Sequence, residues 1–401
     1  MRTVTVIGAG PAGMMAALSA AKEGADVTVL EKNEKTGKKL YITGKGRCNL
    51  TNDCTEEEFF ENVVSNKKFL FSAYNSFCAS DTISFFEDAG LALKKERGKR
   101  IFPASDRSSD VIRTLEDQAR KAGVKIKLRS EVKSLDEIKT DAVIVATGGL
   151  SYPSTGSTGD GYRFAKEIGH DIVPACPSLC AISVRESFVK DLEGLSLRNV
   201  AVKIKDENKK TVFEDFGEML FTENAVSGPV ILTASGHLAR RINENPGNYS
   251  LHIDLKSALD EASLDKRILR DFGENINREF KNSLGKLLPS KMIDTVVSLS
   301  RIDPAKRVNS VTKAERTGLV RLLKDLTLTL ESTLGFDRAV VTKGGVNVKE
   351  IDPKTMRSKI DPRVYFAGEV IDVDALTGGF NIQIALSTGH LAGISAAKEE
   401  I

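Results

Sequence analysis

Gly8, Gly10 and Gly13 stand at G-x-G-x-x-G spacing, and Glu31 follows about twenty residues on. Each residue type answers a chemical need. The first glycine makes a tight turn, the second lets a pyrophosphate approach the backbone, and the third lets helix and strand pack closely. Pro11 and Ala12 lie inside the same turn, where the N–H groups and partial positive charge of a helix N-terminus meet phosphate. An acid placed like Glu31 takes the hydroxyls of an adenosine ribose. This is dinucleotide chemistry, with NAD and FAD both open at this point.

A second cluster is basic and glycine-rich. It runs from Lys32, Lys35, Gly37, Lys38 and Lys39 to Thr43-Gly44-Lys45-Gly46-Arg47-Cys48-Asn49. Irregular stretches of this length are usually functional or disordered. A loop folded over the cofactor suits these small hydrogen-bonding residues, with Gly44 and Gly46 allowing close approach and Arg47 or Asn49 donating to phosphate or ring atoms. A solvated basic loop is the alternative.

The third cluster lies at the far end of the chain: Gly368-Glu369, Asp372, Asp374 and Thr377-Gly378-Gly379-Phe380-Asn381, followed by Ile382. A strand ending in glycine and an acid, then a glycine turn and a helix N-terminus, suits the second half of FAD. The acid can take a ribityl hydroxyl. The N–H groups near Gly379, Phe380 and Asn381 can aim at the flavin N1 and O2 edge, where preorganised donors stabilise the reduced ring. An NAD enzyme needs no such segment, so the expected cofactor is FAD.

Other candidates are weaker. Gly156, Gly159 and Gly161 follow the order G-x-x-G-x-G without a ribose-binding acid, which predicts a loop entering the helix 162–168. With no second complete fingerprint, NADH or NADPH is expected only as a transient electron donor. Cys176 and Cys180 are spaced C-x-x-x-C and read as buried thiols. Cys48 reads as packing against the cofactor. His170, His237, His252 and His390 are scattered, with His390 structural or a proton donor near the flavin. No metal cluster or catalytic triad is legible, and catalytic residues stay unassigned, Tyr152 and Lys343 being the candidate acid or base.

The elements that must position these residues follow an α/β order. Val4, Val6 and Ile7 form a buried strand, a helix runs through Met14, Ala17, Leu18 and Ala21, and 26–30 is a second strand. Helices are expected over 55–79, 81–89 and 108–122, and strands over 91–102 (a pair), 124–128, 132–135 and 141–147. Helices alternating with apolar strands predict a parallel sheet. Around Leu192 the pattern changes. Leu195, Leu197, Val200, Val202 and Ile204 approach period two, as do Val212, Phe213 and Phe216, and then Leu251, Ile253 and Leu255, which predicts antiparallel strands of a small barrel or sheet. From Ser257 to Leu334 the chain reads as mostly helical and charged. The expected domains are 1–191 with 335–401 for the dinucleotide, 192–256 as an inserted β-rich domain on the substrate side, and 257–334 as an inserted helical domain.

Composition narrows the function classes. At 401 residues, with 41% hydrophobic and 28% charged residues, the chain is of ordinary globular make-up. A net charge of +3 creates no global field toward nucleic acid or anionic membrane. No apolar run is long enough to span a bilayer. Five cysteines without framework spacing suit a reducing cytoplasm.

The chain resembles the family of FAD-dependent oxidoreductases that includes aminoacetone oxidase and the BaiN-type flavoprotein of bile-acid dehydroxylation. The resemblance rests on Gly8-Ala9-Gly10-Pro11-Ala12-Gly13, Thr43 to Asn52, Ala146-Thr147-Gly148-Gly149, Gly217 to Thr222 with Ser227-Gly228-Pro229, and Gly368 to Asp374 with Thr377 to Asn381. It runs nearly end to end. It implies a two-dinucleotide-type FAD domain, Rossmann-like and similar to glutathione reductase, with an inserted β-barrel and helical domain. It also implies that Ala146, Thr147 and Gly148 border the FAD and that the adenine packs near the strand carrying Val132. The departures are Ile384, where relatives often carry Trp, and Pro174-Ala175-Cys176-Pro177-Ser178-Leu179, where the family tends to Pro-Ala-Leu-Val-Pro-Leu. Two reactions follow from the resemblance: NAD(P)H-dependent reduction of an activated C=C bond, or amine oxidation yielding hydrogen peroxide. Rivals from other classes are an RNA-associated flavoprotein, using Lys32 to Arg47 and Arg301 to Lys324, and an inactive FAD-binding protein. Low net charge and the lack of interleaved aromatics weigh against RNA. A small-molecule substrate is the expected partner.

Overall fold

A computed structural model describes residues 1–274 and 276–398. The chain divides into two compact units, one of residues 1–178 with 335–401, the other of residues 179–334.

The first unit is built on a five-stranded sheet, in the order Val364–Phe366, Ala142–Val145, Thr3–Ile7, Asp26–Leu30, Lys125–Lys127. Every pairing is parallel. Strands buried on both faces read as continuous apolar runs, and Ala142, Val143, Ile144 and Val145 are all 0% exposed. The helix Pro11–Lys22 leaves the central strand, and the helix Phe380–Ala397 packs along it. A Cβ on Gly389 would lie 2.3 Å from the Ala12 carbonyl oxygen, and one on Gly393 would lie 2.2 Å from that of Ala16. The matching order of these contacts makes the two helices parallel. At 1.5 Å per residue, the start of Phe380–Ala397 therefore lies about 14 Å beyond the level of Ala12.

The second unit contains a closed barrel, in the order Ser196–Lys205, Thr211–Phe221, Ala225–Ser227, Ile182–Val184, Leu326–Thr333, Tyr249–Asp254. Its interior is apolar, with Val202, Ile204, Leu251, Ile253, Leu328 and Leu330 at 0% exposure. The helices Glu261–Gly273, Ser290–Ser300 and Lys313–Lys324 pack within the same unit.

Several sequence expectations change. The unit boundary falls at Ser178 and Leu179 instead of 191 and 192, because Ile182–Val184 pairs into the barrel. Leu326–Thr333 is a barrel strand and not part of a helical region; its alternating burial shows the period-two signal that the neighbouring helices masked. The single helix expected over 55–79 is broken into Glu56–Glu61 and Phe71–Ser76, with Asn66 in a left-handed conformation between them. No strand forms over 132–135: Val132 is buried in the core in irregular chain, and a 3-10 turn starts at Leu135.

Candidate functional site

The opening turn has the geometry its spacing implies. A Cβ on Gly13 would lie 1.9 Å from the Gly8 carbonyl oxygen, so helix and strand approach as only glycine permits. Gly10 caps the helix without a side-chain bond, Pro11 fills its first turn, and no atom lies within 4 Å of a Cβ built on Gly10. There is thus room beside the start of a buried helix, where first-turn N–H groups without an intrahelical partner are able to meet an anion.

Glu31 is buried at the end of the adjacent strand. Its Oε2 accepts the Ala9 N–H at 2.8 Å, and its Oε1 accepts the Asn33 N–H at 2.8 Å and the Asn33 Nδ2 at 2.7 Å. A carboxylate has about four acceptor positions, so this anchoring leaves room for a hydroxyl. Lys32 donates to Asp160 at 2.6 Å and Thr158 at 2.6 Å.

The far segment enters the same region, since a Cβ on Gly368 would lie 2.7 Å from Ala12 Cβ. Glu369 accepts Lys39 Nζ at 2.7 Å, Ser151 Oγ at 3.0 Å and the Thr342 N–H at 2.8 Å. Lys39 also donates to Ser151 Oγ at 2.6 Å. Ser151 and Thr342 were not singled out from sequence; the only local signal at Thr342 is the Gly344-Gly345 pair behind it.

The loop between these clusters is held by its own backbone, Gly46 and Cys48 both donating to the Thr43 carbonyl oxygen at 3.1 and 3.0 Å. Gly44 lies within it. Cys48 is fully buried, and burial pushes its thiol up to about 12, which excludes a thiolate at neutral pH. Arg47 is engaged within the protein. Its guanidinium donates to Asp106 at 2.7 Å, pairs with Glu96, and lies 4.3 Å from the Phe102 ring centroid, so local acids occupy it. Asn49 behaves differently: its Oδ1 is buried and has no hydrogen-bond partner.

The strand Thr51–Asn52 joins this loop to the last helix. Thr51 Oγ1 donates to Gln383 at 2.6 Å, and Asn52 Nδ2 donates to the Gly378 carbonyl oxygen at 3.1 Å. Gly379, at φ 100°, caps Phe380–Ala397 with no side-chain bond, so the first-turn N–H groups receive no side-chain cap from it. Asn381 instead closes its own turn, accepting the Ala375 N–H at 2.9 Å and donating to the Ala375 carbonyl oxygen at 2.7 Å. Asp372 accepts Asn66 Nδ2 at 2.9 Å. Ala146, Thr147 and Gly148 follow directly on the strand Ala142–Val145, and Thr147 Oγ1 is a second buried group without a partner.

Of the remaining candidates, His170, His390 and Lys343 are engaged by protein groups. His170 is buried between Glu350 and Ser358, at 3.1 and 2.7 Å, and burial pushes its pKa down. His390 contacts Ser19 at 2.9 Å and stacks near Phe77, and burial lowers its pKa too. Lys343 bonds both Asp374 carboxylate oxygens and Ser65 Oγ at 3.0 Å. Among the described residues there is no disulfide, no metal-ligating cluster and no helix long and apolar enough to cross a membrane.

Two helix N-termini without side-chain caps, an anchored acid and a glycine loop with an orphaned acceptor, spread along parallel helices, fit an extended dinucleotide. The comparisons with known proteins agree. The family model described as the HI0933-like protein Rossmann domain matches residues 2–395. The chain is 31% identical to the 3-dehydro-bile acid delta(4,6)-reductase of Clostridium scindens, over 99% of this chain and 100% of that protein. It is 30% identical to the ribosomal RNA dihydrouridine synthase of Haemophilus influenzae, over 98% of each. Its fold is similar to the 3-ketosteroid-delta4-(5alpha)-dehydrogenase of Rhodococcus jostii, at 16% identity and TM-score 0.53, covering 99% of this chain and 96% of that one. The chain therefore belongs to the HI0933-like Rossmann family of FAD-dependent oxidoreductases.

Proposed function

We propose that this protein uses non-covalently bound FAD to reduce a carbon–carbon double bond conjugated to a carbonyl, with NADH or NADPH as a transient donor in the reducing cytoplasm. The observation that carries the reading is the full-length likeness to two kinds of relative whose names denote one chemistry. A delta(4,6)-reductase of a 3-oxo acid and a synthase of dihydrouridine each saturate a C=C bond polarised by a carbonyl.

The chain's residues divide the binding task. Gly8, Gly10, Pro11, Ala12 and Gly13 hold the pyrophosphate, and Glu31 holds the adenosine ribose with Val132 and Lys32 near it. Glu369, oriented by Lys39, Ser151 and Thr342, takes a ribityl hydroxyl. The N–H groups of Gly379, Phe380 and Ile382 meet the flavin edge, where they favour the negatively charged reduced ring. Bound FAD supplies the hydride chemistry itself.

The preferred substrate is a small enone. A second reading, a uridine within ribosomal RNA, is supported by the Haemophilus influenzae relative. Against it, several basic residues of the suspected patches are matched by acids of the same chain: Lys32 by Asp160, Lys39 by Glu369, Lys306 by Glu315, Arg316 by Asp265 and Lys324 by Asp254. Amine oxidation has no support beyond the family resemblance.

One experiment tests all of these. The purified protein is bleached anaerobically with NADH or NADPH and then offered a 3-oxo-Δ4 steroid or an unmodified ribosomal RNA transcript. Reoxidation by the steroid, with a saturated product, is expected. Reoxidation by RNA alone, with a two-dalton gain on uridine, moves the assignment to RNA. Bleaching by amines, with peroxide on aeration, or a colourless protein that cannot take up FAD, overturns the proposal.

A further inference from the structure

We infer that Asn49 recognises the flavin ring through its side-chain carbonyl, accepting the N3–H of the isoalloxazine. The inference rests on the FAD reading above and assigns one atom a role in it.

A buried acceptor without a donor is costly, and native proteins seldom leave one. Asn49 Oδ1 is such an atom. Its surroundings explain why no protein group satisfies it. The neighbouring Arg47 guanidinium is directed to Asp106 and Glu96. The following residues, Thr51 and Asn52, are spent on Gln383 and Gly378. Those same bonds locate Asn49. A Cβ on Gly379 would lie 2.6 Å from the Thr51 carbonyl oxygen, so the chain just after Asn49 is packed against the turn that opens the last helix. That turn is the flavin end of the cradle, and the adenosine end belongs to Glu31 and the first glycine turn.

The missing donor must then come from the flavin half of the cofactor. The oxidised isoalloxazine carries a single ring N–H, at N3; the ribityl chain offers hydroxyls, which the Glu369 cluster already faces. A carbonyl acceptor, unlike an arginine or lysine, suits N3–H and adds no charge to the ring. The sequence pattern suggested that Asn49 donates; the orphaned atom is the acceptor.

N3–H is present in both oxidised and reduced flavin, which gives the test its discrimination. FAD-loaded wild type, N49L and N49D are titrated to alkaline pH, and the N3 ionisation is followed in the visible flavin spectrum. FAD dissociation constants and reduction potentials are measured on the same samples. N49L removes the partner of the neutral N3–H form and is expected to lower the ionisation by about one pH unit. N49D places a negative charge beside the nascent anion and is expected to raise it. N49L is also expected to weaken FAD about tenfold (about 1.4 kcal/mol), with the reduction potential unchanged. If both variants hold FAD and keep the wild-type ionisation, the inference is wrong. A lowered potential with unchanged ionisation assigns the contact to N5–H and also overturns it. If N49L fails to retain FAD, the upward shift in N49D alone decides. A wild-type protein that takes up no FAD would instead refute the cofactor reading itself.

Discussion

Gly389→Ala is expected to destabilise the protein even though alanine is the better helix former. Two effects oppose each other. In a helix interior the change from glycine to alanine favours folding by about 1 kcal/mol. At Gly389, however, the new Cβ would lie 2.3 Å from the Ala12 carbonyl oxygen and 3.0 Å from its carbonyl carbon. These are backbone atoms within the phosphate-binding glycine turn, and they cannot rotate away. Ordinary contact needs roughly 1 Å more, which forces the helices Pro11–Lys22 and Phe380–Ala397 apart. Overpacking of this kind costs about 1–3 kcal/mol, at the upper end where backbone must move. The net loss is about 2 kcal/mol, or a fall of about 4–8 °C in the first thermal transition for a unit of this size. Gly318 is the control. It lies on the exposed face of the helix Lys313–Lys324 with nothing within 4 Å of a Cβ, so Gly318→Ala is expected to stabilise by up to about 1 kcal/mol. Differential scanning fluorimetry of both variants, apo and with FAD, reads the contrast. A Gly389→Ala protein that melts at or above the wild-type temperature would refute the close-packing account. The same substitution should also weaken FAD, because the displaced helices carry both uncapped N-termini.

Two further outcomes follow from burial. Burial holds His170 and His390 below their ordinary pKa, so as pH falls the unfolded chain takes up protons first. Their contribution is full above about pH 6.5 and is lost as pH drops through that value toward the folded-state pKa, by at most about 1.4 kcal/mol per pH unit per site. Ser358 Oγ accepts the Ile360 and Asp361 N–H groups at 3.0 Å, so its own proton goes to His170 Nε2, and protonating that nitrogen breaks the bond. Melting at pH 5.5 and 7.5 should therefore show an acid loss that is smaller in His170→Gln; an equal loss in both proteins would contradict this. Cys48, with its thiol pushed up to about 12, should resist alkylation at pH 8 in the native protein and react only after unfolding, whereas Cys78, partly exposed, should react. Peptide mass spectrometry reads the sites, and native labelling of Cys48 at the rate of Cys78 would remove it from the core.

The α/β character, the phosphate turn and the strand-acid-glycine motif near the far end are legible because each is local. Glycine spacing, apolar runs and a strand followed by an acid leave their signature within a few residues. The antiparallel texture of the insertion was visible for the same reason. Leu326–Thr333 was not recognised as a strand, because its partners Tyr249–Asp254 and Ile182–Val184 are remote in sequence and its period-two pattern follows directly on a helix. The boundary near Ser178 was displaced on the same grounds.

At the site, residue types indicated which side chains are able to bind a dinucleotide, and long-range packing chose among them. Arg47 and Asn49 are neighbours in one loop and looked alike as donors. Folding brings Glu96 and Asp106 to Arg47, which consumes its charge, and brings nothing to Asn49 Oδ1. Likewise Lys39, Ser151 and Thr342, far apart in the chain, meet on Glu369. A glycine pattern is a property of adjacent backbone, which any fold must honour. Whether a given polar atom is satisfied or left waiting for a ligand depends on every other atom that could reach it, and that becomes defined only once the chain is folded.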